Sequence, residues 1–214
     1  MAPSGAGTPA SPFKTKAERA AERDRKREAV LLAAVTMFNA RGFHATSLDD
    51  VAASLGISKP TIYHYLGNKD QVLLECILRG LAQLQAAAAD ARAGPGSGLD
   101  RLRVFLRQCV EINATEFGRC SVRIDESALS PDSARRFRDV KRRIDNAMRG
   151  LIEEAVADGS AGPLDVRATN YVLAGAVNWV GRWYHAGGEL EAAALARAMV
   201  DSMVRGLAPR VDEP

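Results

Sequence analysis

The residues of this 214-residue chain best suited to chemistry cluster in one stretch, Thr46 to Lys69, TSLDDVAASLGISKPTIYHYLGNK. Lys59, Thr61, Tyr63, His64 and Lys69 are cationic, hydroxyl-bearing or aromatic, and helical spacing turns them away from Ile62 and Leu66. Groups of this kind neutralise phosphates and hydrogen-bond to base edges in a major groove. Thr46, Ser47, Ser58, Pro60 and Tyr65 complete the candidate DNA-contacting set. Bond-making chemistry has no comparable support. The three histidines, His44, His64 and His185, are scattered, and no nucleophile or carboxylate constellation surrounds them. No catalytic residues, metal site or cofactor are therefore expected.

Two short helices must position these groups. Thr46 and Ser47 are expected N-caps, their hydroxyls taking up amide donors that a helix start leaves unpaired. Leu48, Val51, Ala52 and Leu55 give the first helix one apolar face, and Gly56 ends it. Ser58 starts the second helix, with Pro60 in its first turn, where a missing N–H costs little. Ala52, Gly56 and Ile62 then supply close crossing, turn and plug. That pattern predicts a helix-turn-helix.

On these residues the chain resembles the N-terminal DNA-binding region of the TetR family of transcriptional repressors. The resemblance covers Val30 to Leu73, with Phe38, Gly42, Phe43, Thr46, Val51, Ala52, Gly56, Ser58, Lys59, Tyr63 and Lys69 all fitting. Leu66 departs from it, since the family more often carries phenylalanine there. The resemblance implies an all-α protein: a three-helix DNA head, a helical ligand-binding and dimerising body, about nine helices in total. Expected boundaries are a disordered tail at 1–12, the head at 13–67, the body at 68–208 and a tail at 209–214. The implied function is repression of a palindromic operator, released when a small molecule binds the homodimer.

Bulk composition agrees without being decisive. The formal net charge is +3, mildly basic, and 47% apolar residues suffice for a core. Cys76, Cys109 and Cys120 are odd in number and lack CxxC spacing, so reduced buried thiols in a cytoplasmic protein are expected. No uninterrupted apolar run approaches the ~20 residues of a membrane span, so no membrane partner is expected. Phe13 to Glu28 holds seven Lys or Arg against four Asp or Glu. It reads either as a solvated helix extension or as a basic arm reaching phosphate through Arg23, Arg25, Lys26 and Arg27. Val30, Leu31, Ala34, Val35 and Phe38 form the buried stripe that follows.

Beyond Asn68, an expected N-cap, helices are expected to Arg92, from Leu99 to Phe117, from Pro131 to Asp158, from Leu164 to His185 and from Gly188 to Leu207. The loop Gly94 to Gly98 separates the first two, and Gly118 is expected to end the second. The Pro131 helix carries Arg135, Arg136, Arg138, Lys141, Arg142, Arg143 and Arg149, either a charged outer face or contacts for an anionic ligand. Small residues in the last two helices suit a self-complementary dimer interface.

NWVGRWYHAGG, Asn178 to Gly188, holds both tryptophans. Trp179 and Trp183 share a helix face, as do Asn178 and Arg182. With Tyr184 they read as core and interface aromatics or as an effector pocket. The segment resembles that of TetR-family members responding to acyl-CoA thioesters, which implies an acyl-CoA effector held by Arg182 and its neighbours. Other readings are an unrelated hydrophobic or xenobiotic effector, a ligand-independent DNA binder, and a helical enzyme.

Overall fold

The structure, a computed structural model, describes residues 15–208; the tails expected at 1–12 and 209–214 lie outside the described residues. Among the described residues there are nine α-helices, one 3-10 turn at Glu126–Ala128 and no strand. They are α1 Lys16–Arg41, α2 Leu48–Ser54, α3 Lys59–Leu66, α4 Lys69–Ala93, α5 Gly98–Ala114, α6 Glu116–Arg123, α7 Pro131–Ala157, α8 Val166–Trp183 and α9 Ala192–Arg205.

Local sequence dictates where most helices begin. Thr15 with Glu18, Ser47 with Asp50, Asn68 with Gln71 and Ser97 with Asp100 form reciprocal capping boxes at α1, α2, α4 and α5. Thr46 is not a cap. It is buried, and its hydroxyl donates to the Gly42 carbonyl at 2.9 Å, pinning the α1–α2 connection. Leu55 follows α2 as its C-cap and is exposed, so the apolar face ends at Ala52.

The expected helix to Phe117 breaks earlier. Thr115 takes an extended backbone, closes α5 and caps α6, its hydroxyl accepting from the Gly118 amide at 3.2 Å. Gly118 therefore lies inside α6. Its role is close approach, since a Cβ there would meet the Ile112 carbonyl oxygen at 1.9 Å. The last two helices are also shorter than expected, because residues 184–191 leave helical geometry around Gly187, at φ 85°.

α5 is the axis of the body and touches α4, α6, α7, α8 and α9. α1 packs on α2 and α3 and also reaches α4 and α6. One continuous apolar cluster runs from Val30 in α1 to Val204 in α9. α4 connects its two ends, burying Val72, Leu73 and Ile77 towards the head and Leu84, Ala88 and Ala91 farther on. At 25 residues it is long and apolar enough to cross a membrane by length and composition, which the reading by uninterrupted runs overlooked. Its apolar side is instead packed on α5, α6 and α7, as in the core helix of a globular body.

Candidate nucleic-acid interface and effector cavity

α3 is anchored from one side only. Ile62 and Leu66 are buried, while Tyr63 is 50% exposed and Lys59 and His64 are exposed. Gly56, at φ 64°, makes the turn, and the Ile57 amide donates back to the Ala52 carbonyl at 3.1 Å. Ser58 marks the start of α3, but its hydroxyl lies 2.8 Å from that of Thr61 and makes no cap bond to the backbone. Pro60 sits exposed in the first turn.

Charge on this face is only partly committed. The Lys59 ammonium pairs with Asp49 of α2, and that hydrogen bond raises its pKa. Lys69 Nζ rests 4.2 Å above the centre of the Phe43 ring, and partial burial pulls its pKa down. Tyr65 is half-buried against His64, its ring centre 5.6 Å away.

The basic arm divides in two. Arg27 grips the fold: its Nε donates to the Tyr65 carbonyl at 3.2 Å, and both terminal nitrogens bond the Glu75 carboxylate. It therefore ties α1 to the end of α3 and to α4, and is spent as a phosphate contact. Arg23 and Arg25 are exposed on α1, and Lys26 pairs with Glu22 at 2.8 Å.

Besides the Arg27–Glu75 and Glu28–Arg79 pairs that tie α1 to α4, two further polar clusters hold the head end against the body. Asn39 of α1 donates to the Glu116 carbonyl at 2.8 Å and to its carboxylate at 2.7 Å. Asp70 of α4 accepts from the Ser130 amide, the Ser130 hydroxyl and the Ser133 hydroxyl at 2.8, 2.9 and 2.7 Å. The α7 N-terminus is thus latched at Asp70, four residues after α3 ends.

A cavity of about 670 Å³ opens among α4, α5, α6, α7 and α8. Leu81, Cys109, Phe137, Met148 and Val177 give it an apolar lining. Its other wall is charged: Arg138, Lys141, Arg142 and Arg149 outnumber Glu126 and Asp145. Arg138 pairs with Glu126, Arg149 meets Asp145 at 2.8 Å, and Lys141 Nζ lies 5.2 Å from the Phe137 ring centre. An apolar chamber with a net cationic edge suits an amphiphile with an anionic end.

The expected aromatic pocket is redistributed. Asn178 borders the cavity, with its Oδ1 3.3 Å from the Asn113 amide nitrogen. Trp179, Arg182 and Trp183 do not, because Leu173, Val177 and Val180 turn the opposite side of α8 towards the core. The tryptophans are exposed at 62% and 39%. Tyr184 is buried after the helix end and also lies outside the cavity lining. What sequence reasoning missed is Asn113 and Asn170, both fully buried and bordering the cavity. A signal existed, since Asn113 interrupts the Leu102, Leu106, Cys109 stripe of α5 at helical spacing. Among the described residues no group of His, Cys, Asp or Glu could hold a metal.

Residues 30–76 match the family described as bacterial regulatory proteins, tetR family, and residues 95–207 match the tetracyclin repressor-like C-terminal domain. The transcriptional repressor KstR2 of Mycolicibacterium smegmatis is 28% identical over 186 residues, spanning 85% of this chain and 90% of the relative. Among solved structures, the TetR-family regulator PfmR of Thermus thermophilus superposes with a TM-score of 0.76 at 28% identity, covering 82% of this chain and 97% of that one. AibR, solved with isovaleryl coenzyme A and operator DNA, shares the fold with a TM-score of 0.72 at 21% identity, over 86% and 98% of the chains. A helix-turn-helix head on a helical body, matched along most of the chain, makes this protein a member of the TetR family of transcriptional regulators.

Proposed function

We propose that the protein is a homodimeric, ligand-responsive repressor that lays α3 of each protomer in a major groove and leaves its operator when the cavity fills. The observation carrying the DNA half is α3 itself, with Ile62 and Leu66 buried and Tyr63, His64 and Lys59 presented outward. Thr61, Tyr63 and His64 are assigned to base edges or nearby backbone. Lys59, Lys69, Ser47, Ser58 and the start of α3 at Pro60 are assigned to phosphate, with Tyr65 flanking them. Thr46 is assigned only a supporting role, since its side chain is buried. Residues 13–67 act as the head and 68–208 as the body, α4 serving both.

The dimer reading rests on α8. Val172, Trp179 and Trp183 are exposed apolar residues at helical spacing along one side of it, the kind of surface that association covers. The effector reading, an acyl-CoA thioester, is supported by the cavity's apolar lining and cationic edge and by the ligand in the AibR structure. Arg138, Lys141 and Arg142 replace Arg182 as the phosphate partners in this reading. A regulator acting directly on DNA belongs in the cytoplasm.

Selection of duplexes from a random pool tests the DNA half: two related half-sites about 34–36 Å apart are expected. Enrichment of no sequence would overturn it. A thermal-shift panel of acyl-CoA thioesters, free CoA and free acids tests the effector half. Ligand at ~100 times its Kd adds about 2.7 kcal/mol, and a panel without any shift sends the search to other effectors.

A further inference from the structure

The two buried asparagines of the cavity wall restrict what its occupant must be. Asn113 Nδ2 donates to the Val177 carbonyl at 3.1 Å, and Asn170 Nδ2 donates to Asp145 Oδ1 at 2.6 Å. All of these partners are acceptors, so neither amide can be turned round: nitrogen must face them. The side-chain carbonyls are thereby fixed as the remaining groups, and each is buried with no hydrogen-bond partner among the described residues. Both residues are fully buried and both border the cavity.

Buried carbonyls of this kind are satisfied by water or by a ligand's donors. A saturated hydrocarbon that displaced water here would strand two acceptors, whereas a ligand with donors would replace the lost bonds. We propose that the effector carries hydroxyl or amide N–H donors that hydrogen-bond to Asn113, to Asn170 or, from separate groups, to both, and that these two residues select it against a plain hydrocarbon. This rests on the reading that the cavity is the effector site. Val177, which holds the Asn113 amide, lies seven residues along α8 from Asn170, about 10 Å at the helical rise. The acceptors therefore mark two separated points on one wall. In a thioester the donor could come from a hydroxyl on the acyl chain or from the amides of the pantetheine arm.

Binding of decanoyl-CoA is compared with its 3-hydroxy and 10-hydroxy analogues and with the corresponding free acids, by calorimetry on the purified 214-residue protein. The expected result is at least about tenfold tighter binding of a hydroxylated thioester than of decanoyl-CoA. Asn170→Leu should abolish that preference while Arg149 keeps Asp145 paired. If all thioesters bind alike but weaken about tenfold together in Asn170→Leu or Asn113→Leu, with operator affinity retained, the pantetheine amide is the donor and the assignment stands. If only hydroxylated free acids bind, and Asn170→Leu weakens them, the thioester reading fails and this one survives. Equal binding of all thioesters, unchanged in the variants, overturns the proposal, as does failure of every hydroxylated probe. A preference for a hydroxylated thioester is read from the wild type alone; equal binding is decided by Asn113→Leu or Asn170→Leu, and either variant suffices if the other misfolds.

Discussion

The Ser133 hydroxyl donates to the Asp70 carboxylate at 2.7 Å, joining the first turn of α7 to the first turn of α4. α7 supplies much of the charged cavity wall, and α4 begins three residues after α3 ends, so one carboxylate links the candidate effector cavity to the candidate DNA-contacting helix. Burial pushes the Asp70 pKa up, but hydrogen bonds from the Ser130 amide and the two serine hydroxyls outweigh it and hold it below the ordinary value. A depressed folded-state pKa gives stability that is present above the unfolded-state value, about 3.9, and is lost as pH falls through the folded value. Asp70→Ala should therefore cost about 1–2 kcal/mol at pH 7, a difference that shrinks in urea titrations below about pH 4. Ligand-induced operator release should weaken in the same variant; full release at unchanged ligand concentration would remove Asp70 from the coupling.

Tyr63→Ala removes a half-exposed ring from α3 without touching Ile62 or Leu66. Operator binding should be lost in a gel-shift titration while the melting temperature and the oligomeric state stay unchanged. Lys59→Ala should weaken binding to every sequence alike and lower the salt slope by about one.

Two glycines should respond differently to alanine. Gly56→Ala meets open space and suffers only the left-handed φ of 64°, a cost of about 1–2 kcal/mol. Gly118→Ala would put its Cβ into the Ile112 carbonyl, so backbone must move at the α5–α6 junction. Its loss should reach about 3 kcal/mol or more by chemical denaturation.

Helix identity and the head were legible because their causes are local. The buried stripe from Val30 to Phe38 follows from spacing alone, and so do Gly56 as the turn and Asn68 as the cap. The end of α5 was not legible, because Thr115 serves two helices at once and Gly118 is needed for an approach that spacing does not reveal. Arg27 looked like a free cation, since Glu75 lies 48 residues away in sequence. For the tryptophans the choice between interface and pocket was not legible either. Aromatic character announces burial or binding, but which side of α8 faces the cavity depends on how α5 and α7 pack against it.

All three thiols are buried, and burial pushes Cys120 up to about 12 and Cys76 and Cys109 upward as well. With essentially no thiolate at pH 8, an aromatic disulfide reagent should titrate none of them in the native protein and three after unfolding. Rapid reaction of any thiol in the folded state would contradict this placement.

Trp179→Lys places a charge at a position 62% exposed in the single chain. The fold should survive, and sedimentation should show monomers if α8 forms the dimer interface. A persistent dimer would move the interface elsewhere.

The 25 residues of α4 make a rod of about 37 Å. A tilt of about 5° at its cavity end would carry the head through about 3 Å by simple leverage on that length. Neighbouring phosphates on a strand are about 3.4 Å apart, so a change too small to remodel the core is enough to put a reading head out of step with its groove. In the proposed dimer, with two heads on one duplex, opposite tilts would double the error. Under the proposed mechanism, the stiffness of one long helix sets how little the cavity needs to change for the operator to be lost.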